Sequence, residues 1–137
     1  MSPIPKKARG YYVERKLVKL LSKKKGNHVF RVPVSGSRSP PDGAYAFPDV
    51  FLINNIEDRI VAFEVKSTEY KRVRVKREQL IKLTRFLEPF KKYQKREAVV
   101  AVWFFKESKW IFRKIEDLLN VGEYLVIASD DSSDWTP

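Results

Sequence analysis

Apolar residues recur along this chain with two different periods, and the switches between them set out its elements. Val13, Leu17, Leu20 and Leu21 fall at i, i+4, i+7 and i+8, the spacing of one buried stripe on a helix, which Gly26-Asn27 ends. Val29-Phe30 and Val32 predict a strand over His28 to Val34, with His28 a structural residue at its start. From Ser35 to Phe47 serine, proline and glycine suit neither a helix nor a strand interior, so this stretch reads as a mobile loop. Val50 to Ile53 and Ile60 to Phe63 are short apolar runs joined by turn residues, which predicts two antiparallel strands.

Helical spacing returns at Lys76, with Leu80, Leu83, Thr84 and Leu87 on one face and Phe86 and Phe90 on the next, until Pro89 and Lys91-Lys92 disturb it. Ala98 to Phe105 is continuously apolar and too short for a long helix; it reads as a strand buried on both faces, at the centre of the sheet. Trp110 to Phe112 adds a strand, Ile115 to Leu119 a short helix, and Tyr124 to Ala128 a last strand. The acidic stretch Asp130 to Asp134 is expected to be a disordered tail. The 137 residues read as one domain, with a flexible basic arm at 1–9 and a flexible acidic tail at 129–137.

Composition narrows the chemistry. A chain that is 43% hydrophobic and 33% charged has enough apolar content to fold as a soluble globule with charged faces. It has no cysteine and one histidine, which excludes a disulfide scaffold and thiolate zinc, so any metal should be a hard ion bound through oxygen. No apolar run reaches the ~20 residues that cross a bilayer, and no signal sequence is legible, which places the chain in the cytoplasm, that of a host if it is viral.

The net charge of +11 is unevenly held. Residues 1–96 carry 24 Lys and Arg against 9 Asp and Glu, whereas residues 97–137 carry 4 against 8. Clustered cations gain free energy by releasing counterions from a phosphate backbone, so the expected partner is nucleic acid. A membrane-surface helix is the competing reading, but these cations are spread over strands and loops as well as helices. Lys71, Arg72, Arg74, Lys76 and Arg77 form the densest run and read as backbone contacts or as a solvated face.

The most informative stretch is Pro48-Asp49 at the start of one expected strand and Glu64-Val65-Lys66 at the end of the next. Antiparallel pairing sets the first residue of one strand beside the last of the other, so Asp49 and Glu64 can meet. Glu64 and Lys66, two apart, share a face. Two carboxylates and an ammonium suit phosphodiester hydrolysis, in which the acids hold Mg²⁺ and the lysine orients water or stabilises the transition state. Glu14 flanks the first helix's apolar stripe, where its carboxylate needs a partner: a metal, a metal-bound water, Arg15 or Arg31. Taken singly, Asp49 reads as a strand terminator, Glu64 and Lys66 as an exposed pair, and Ser35 as a turn former.

Together, Tyr12-Val13-Glu14-Arg15-Lys16-Leu17-Val18, Phe30-Arg31-Val32-Pro33-Val34-Ser35-Gly36-Ser37, Pro48-Asp49, Glu64-Val65-Lys66 and Arg77-Glu78-Gln79 resemble the archaeal Holliday junction resolvases and their viral relatives, within the PD-(D/E)xK nucleases. The resemblance runs from residue 10 to about 115. It implies an α/β, restriction-endonuclease-like fold with a mixed central β-sheet flanked by α-helices, and a two-fold dimer that nicks opposed strands of a four-way DNA junction with Mg²⁺, or Mn²⁺ in its place, and no small-molecule cofactor. It implies Asp49 and Glu64 as metal ligands, Lys66 as catalytic lysine, Glu14 as the helix acid that helps with metal or water, and Ser35 as a catalytic loop serine. It further implies Arg15 and Arg31 as phosphate-contacting or acid-pairing residues, and Phe86 and Phe90 as dimer contacts, although periodicity alone puts these two rings in the core. The stretch from Arg38 to Phe47 is longer than the family pattern and reads as a loop that probes the junction, with Arg38 on DNA. Two other readings stay open: a related nuclease acting on duplex, flap or end DNA, and a non-catalytic DNA-binding module.

Overall fold

The computed structural model describes residues 6–33, 43–116, 118 and 121–137, with side chains from Ala8 onward. Ser35 and Arg38 lie outside the described residues, as do most of the 35–47 loop and part of the expected helix over Ile115 to Leu119.

Helix α1 spans Lys6–Leu21 and buries Val13, Leu17 and Leu21, one stripe at the predicted spacing. It begins inside the segment expected to be a flexible arm, so Arg9 is a helical residue. Strands β1 (Asn27–Arg31), β2 (Val50–Asn54) and β3 (Arg59–Thr68) follow as an antiparallel meander. β4 (Arg72–Lys76) leads into α2 (Arg77–Phe86), which crosses over to β5 (Lys95–Phe104), parallel to β3; β6 (Lys109–Lys114) returns antiparallel, and β7 (Tyr124–Ala128) pairs with β4 as a separate ribbon. The main sheet has the order β1-β2-β3-β5-β6.

The centre is therefore β3. β5, expected there, is one place over: it is buried on both faces as its continuous apolar run requires, but it pairs β3 on one side and the last strand of the sheet on the other. Burial on both faces does not by itself fix lateral position. β4 was hidden in the basic run, although Arg72-Val73-Arg74-Val75-Lys76 alternates with a period of two.

The sheet is sandwiched. On one face Leu17 and Leu21 pack on Val50, Leu52, Val61, Phe63, Val99 and Ala101; on the other Leu83 and Leu87 of α2 and its following turn cover Phe51, Ile60, Ala62 and Ala98. The junction of α1, β1 and β2 is fixed by a buried amide chain: Asn54 Nδ2 donates to Asn27 Oδ1 (2.8 Å), Asn27 Nδ2 to the Leu21 carbonyl that ends the helix (2.8 Å). Gly26 sits beside this chain at φ 87°, a left-handed backbone that favours glycine, and a Cβ there would also crowd Ile56 Cδ1 (2.8 Å) and Asn54 Oδ1 (3.0 Å).

The acidic C-terminal segment is not the expected disordered tail. Asp134 N–H donates to the Phe112 carbonyl (3.0 Å), Ser133 Oγ accepts from Phe112 N–H (2.9 Å) and Asp134 Oδ1 from Lys114 N–H (2.6 Å). These bonds satisfy the outer edge of β6. Trp135 then turns inward, 5% exposed, edge-on to Phe63 with ring centres 5.3 Å apart. One large apolar ring and a free strand edge outweigh the charge of three aspartates that stay at the surface.

Candidate active site

The β2–β3 register pairs Val50 with Phe63, and one step further Asp49 N–H donates to the Phe63 carbonyl (2.9 Å), which sets Asp49 opposite Glu64. Directly opposed residues project to one face, here the face covered by α2. Asp49 Oδ2 accepts from Val65 N–H (2.9 Å). Glu64 is 7% exposed; its Oε1 lies 3.4 Å from Lys66 Nζ, and its Oε2 accepts from Gln79 Nε2 at 3.5 Å. The convergence expected from strand pairing is realised.

Burial drives the Asp49 carboxyl up to about 8, and the adjacent Glu64 charge adds to that; the Val65 N–H, which favours the anion, offsets only part. Glu14 reaches the same region from α1. Its pKa is also raised, first by loss of solvent, against the pull of Arg31, whose Nη1 is 3.6 Å from Oε1. Glu14 and Glu64 repel each other, as do Glu14 and Asp49, so the three acids share one field. Of the partners open to Glu14 in the sequence, Arg31 is the ion pair, while Arg15 is exposed and acts from farther away. Arg31 also lies over the Tyr11 ring, 4.6 Å from its centre.

Acids held together at such a cost need positive charge. Among the described residues no three acidic or imidazole groups form a ready-made metal cage. Two carboxylates suffice for Mg²⁺, which commonly keeps several waters and takes the rest of its shell from substrate phosphate. The oxygen-only donor set suits a hard divalent ion.

Gln79 is the site residue that sequence reasoning left without a role. It lies in the first turn of α2, and only the β4–α2 crossover returns it to β3. A polar residue flanking the Leu80 and Leu83 stripe was the available signal, a weak one because most such residues face water.

The basic run falls on the ribbon. Arg72, Arg74 and Lys76 are exposed on one face of β4 while Val73 and Val75 turn to the core, and Lys71 is exposed beside them. Arg74 lies over Tyr124 at 4.9 Å, and none of these four cations has an acidic partner among the described residues. Arg77 is half-buried, its Nε enclosed without a hydrogen-bond partner. Phe86 and Phe90 are half-buried, joined to Phe51 at 5.5 Å each and, through Phe86, to Tyr45 and Phe47.

A mixed sheet between helices, with an aspartate entering one strand and Glu-x-Lys on the next, is a restriction-endonuclease-like fold. Over residues 5–133 the chain matches the family described as archaeal Holliday junction resolvase (hjc). It is 34% identical over 112 residues to the crossover junction endodeoxyribonuclease Hje of Sulfolobus acidocaldarius, covering 82% of this chain and 73% of that protein. It is 33% identical over 113 residues to the Hje of Saccharolobus islandicus, covering 80% and 76%. The solved structure of Archaeoglobus fulgidus Hjc, a Holliday junction resolvase, shares the fold with a TM-score of 0.62 over 88% of this chain and 84% of that one, at 22% identity. The chain belongs to the archaeal Holliday junction resolvase family.

Proposed function

We propose that this protein is a structure-selective endonuclease that resolves four-way DNA junctions inside the cell, a homodimer in which each subunit nicks one of two opposed strands. The observation that carries the reading is the pair Asp49 and Glu64, set opposite each other beside Lys66, with Asp49 held protonated up to about 8 by burial and by the Glu64 charge. In this reading Asp49 and Glu64 hold Mg²⁺, for which Mn²⁺ substitutes, and Glu14 supports the metal or its water. A divalent ion held by these residues would supply water activation and charge neutralisation on the phosphate. Lys66 orients the attacking water or stabilises the charged phosphate, from a position set by the strand it shares with Glu64. Gln79 holds Glu64 in orientation, and Arg31 keeps Glu14 turned inward.

Binding comes from the backbone contacts of Arg15, Arg31, Lys71, Arg72, Arg74, Lys76 and Arg77, which track phosphates without reading sequence. Ser35 and Arg38 belong to the loop that meets the branch, Ser35 assisting the cut. Phe86 and Phe90 meet their symmetry mates at the two-fold axis; one small site makes one cut, and a symmetric dimer is the simplest way to make two.

The test incubates end-labelled four-way junction and matched linear duplex with the protein in Mg²⁺, beside Asp49→Asn and chelator controls. Paired symmetric nicks on the junction alone, lost in both controls, are expected. Equal cutting of the duplex would replace the reading with a general nuclease, and tight binding without cutting would leave a DNA-binding module.

A further inference from the structure

The turn between β3 and β4 presents Tyr70 to solvent at 78% exposure, the most exposed large hydrophobic side chain among the described residues, with no ring contact of its own. Its backbone is nevertheless fixed. Tyr70 N–H donates to Thr68 Oγ1 (2.9 Å), the Thr68 carbonyl accepts from Phe105 N–H (3.0 Å), and the Lys71 carbonyl from Ser129 N–H (2.8 Å). The ring therefore stands on a held turn. The adjacent acid, Glu69, is occupied by Arg9 at 3.2 Å, which leaves Lys71 and Arg72 to set the local charge.

Position gives this ring a meaning. Tyr70 follows Lys66 by four residues, at most about 14 Å of extended chain, or roughly four base-pair steps at 3.4 Å each. It also heads the basic face of β4, whose other end leads through Lys76 into the helix that carries Gln79 to Glu64. A ring so placed, beside the exposed cations of β4, lies within a few base-pair steps of Lys66. In continuous duplex the bases are stacked and offer no face. At the branch of an open four-way junction the innermost base pairs lack a stacking neighbour on one side, so a base face is free.

Resting on the resolvase reading above, we propose that Tyr70 is a specificity-determining residue that stacks on a base exposed at the branch point, while Lys71 and Arg72 hold the flanking phosphates. Phosphate contacts follow the path of the backbone on junction and duplex alike, whereas an aromatic ring gains only where a base face is free. The ring is what matters, so Tyr70→Phe should act like wild type.

The experiment measures binding of wild type, Tyr70→Ala and Tyr70→Phe, in chelator to prevent cutting, to a four-way junction and a matched duplex, with 2-aminopurine placed at the branch as a stacking reporter. Tyr70→Ala should lose about tenfold in junction affinity and its 2-aminopurine response, with duplex affinity within about twofold, and Tyr70→Phe should keep both. Equal losses on junction and duplex, or no loss at all, would overturn the proposal while wild-type cutting of junctions left the functional reading intact. A wild-type protein that neither prefers nor cuts junctions would instead fail the functional reading itself. Tyr70 makes no core contact, so the variants test recognition and leave folding aside.

Discussion

Asp49 and Glu64 face each other across the first hairpin of the sheet, the one bonded to Val65 N–H and the other to Gln79. The hairpin register forces this meeting, and burial beside the Glu64 carboxylate makes ionising Asp49 costly. That makes the site destabilising until a cation arrives, which has measurable consequences.

Asp49→Asn should abolish cutting and, in metal-free buffer near pH 8, raise Tm by several degrees, since asparagine keeps an acceptor for Val65 N–H and removes the repulsion with Glu64. Calorimetry in chelator checks this. Saturating Mg²⁺ should stabilise wild type and leave the variant unmoved.

The sign of the pH dependence follows from the raised pKa. In the unfolded chain Asp49 loses its proton near 3.8, whereas in the folded protein it keeps it to about 8. Between those values unfolding releases a proton, so metal-free wild type should lose stability relative to Asp49→Asn as pH rises from about 4 to about 8, with no further change above. A Tm difference that stays flat over that window would contradict the assigned environment.

Gln79 touches the site through Glu64. Gln79→Ala should cost about tenfold in cleavage rate and raise the Mg²⁺ concentration for half-activation, with junction affinity in chelator unchanged. Gln79→Glu should be worse than alanine, because it adds a third carboxylate to the pair. Titration of rate against Mg²⁺ separates these effects from a general loss of fold.

Trp135→Ala should destabilise the protein by about 3 kcal/mol in urea unfolding, since it empties a buried site against Phe63 and Phe112. Trp135→Phe should be nearly neutral: the indole N–H is enclosed without a partner, so losing it offsets part of the lost area. A disordered tail would make both substitutions silent.

The exposed face of β4 should set the salt dependence of DNA binding. Each of Arg72→Ala, Arg74→Ala and Lys76→Ala should reduce the slope of log affinity against log salt by about 0.9, equally on junction and duplex. Binding isotherms over a salt series read this directly.

The sequence by itself determined whatever depends on near neighbours. Period and turn residues marked α1, the β2–β3 hairpin, α2 and the double-sided burial of β5; hairpin pairing then brought Asp49 to Glu64, with Lys66 two residues on. Glu14 at the flank of an apolar stripe was likewise legible, and the charge imbalance pointed to a polyanion. The tertiary structure alone decided what depends on distant segments: that β3 holds the centre, that Arg72 to Lys76 forms a strand because Tyr124 to Ala128 comes to pair with it, that Gln79 reaches Glu64, and that Trp135 draws an acidic tail onto the edge of β6. Local periodicity reports the surface a segment wants to bury, but not which partner buries it, and that partner is settled only when all the elements compete for the same core.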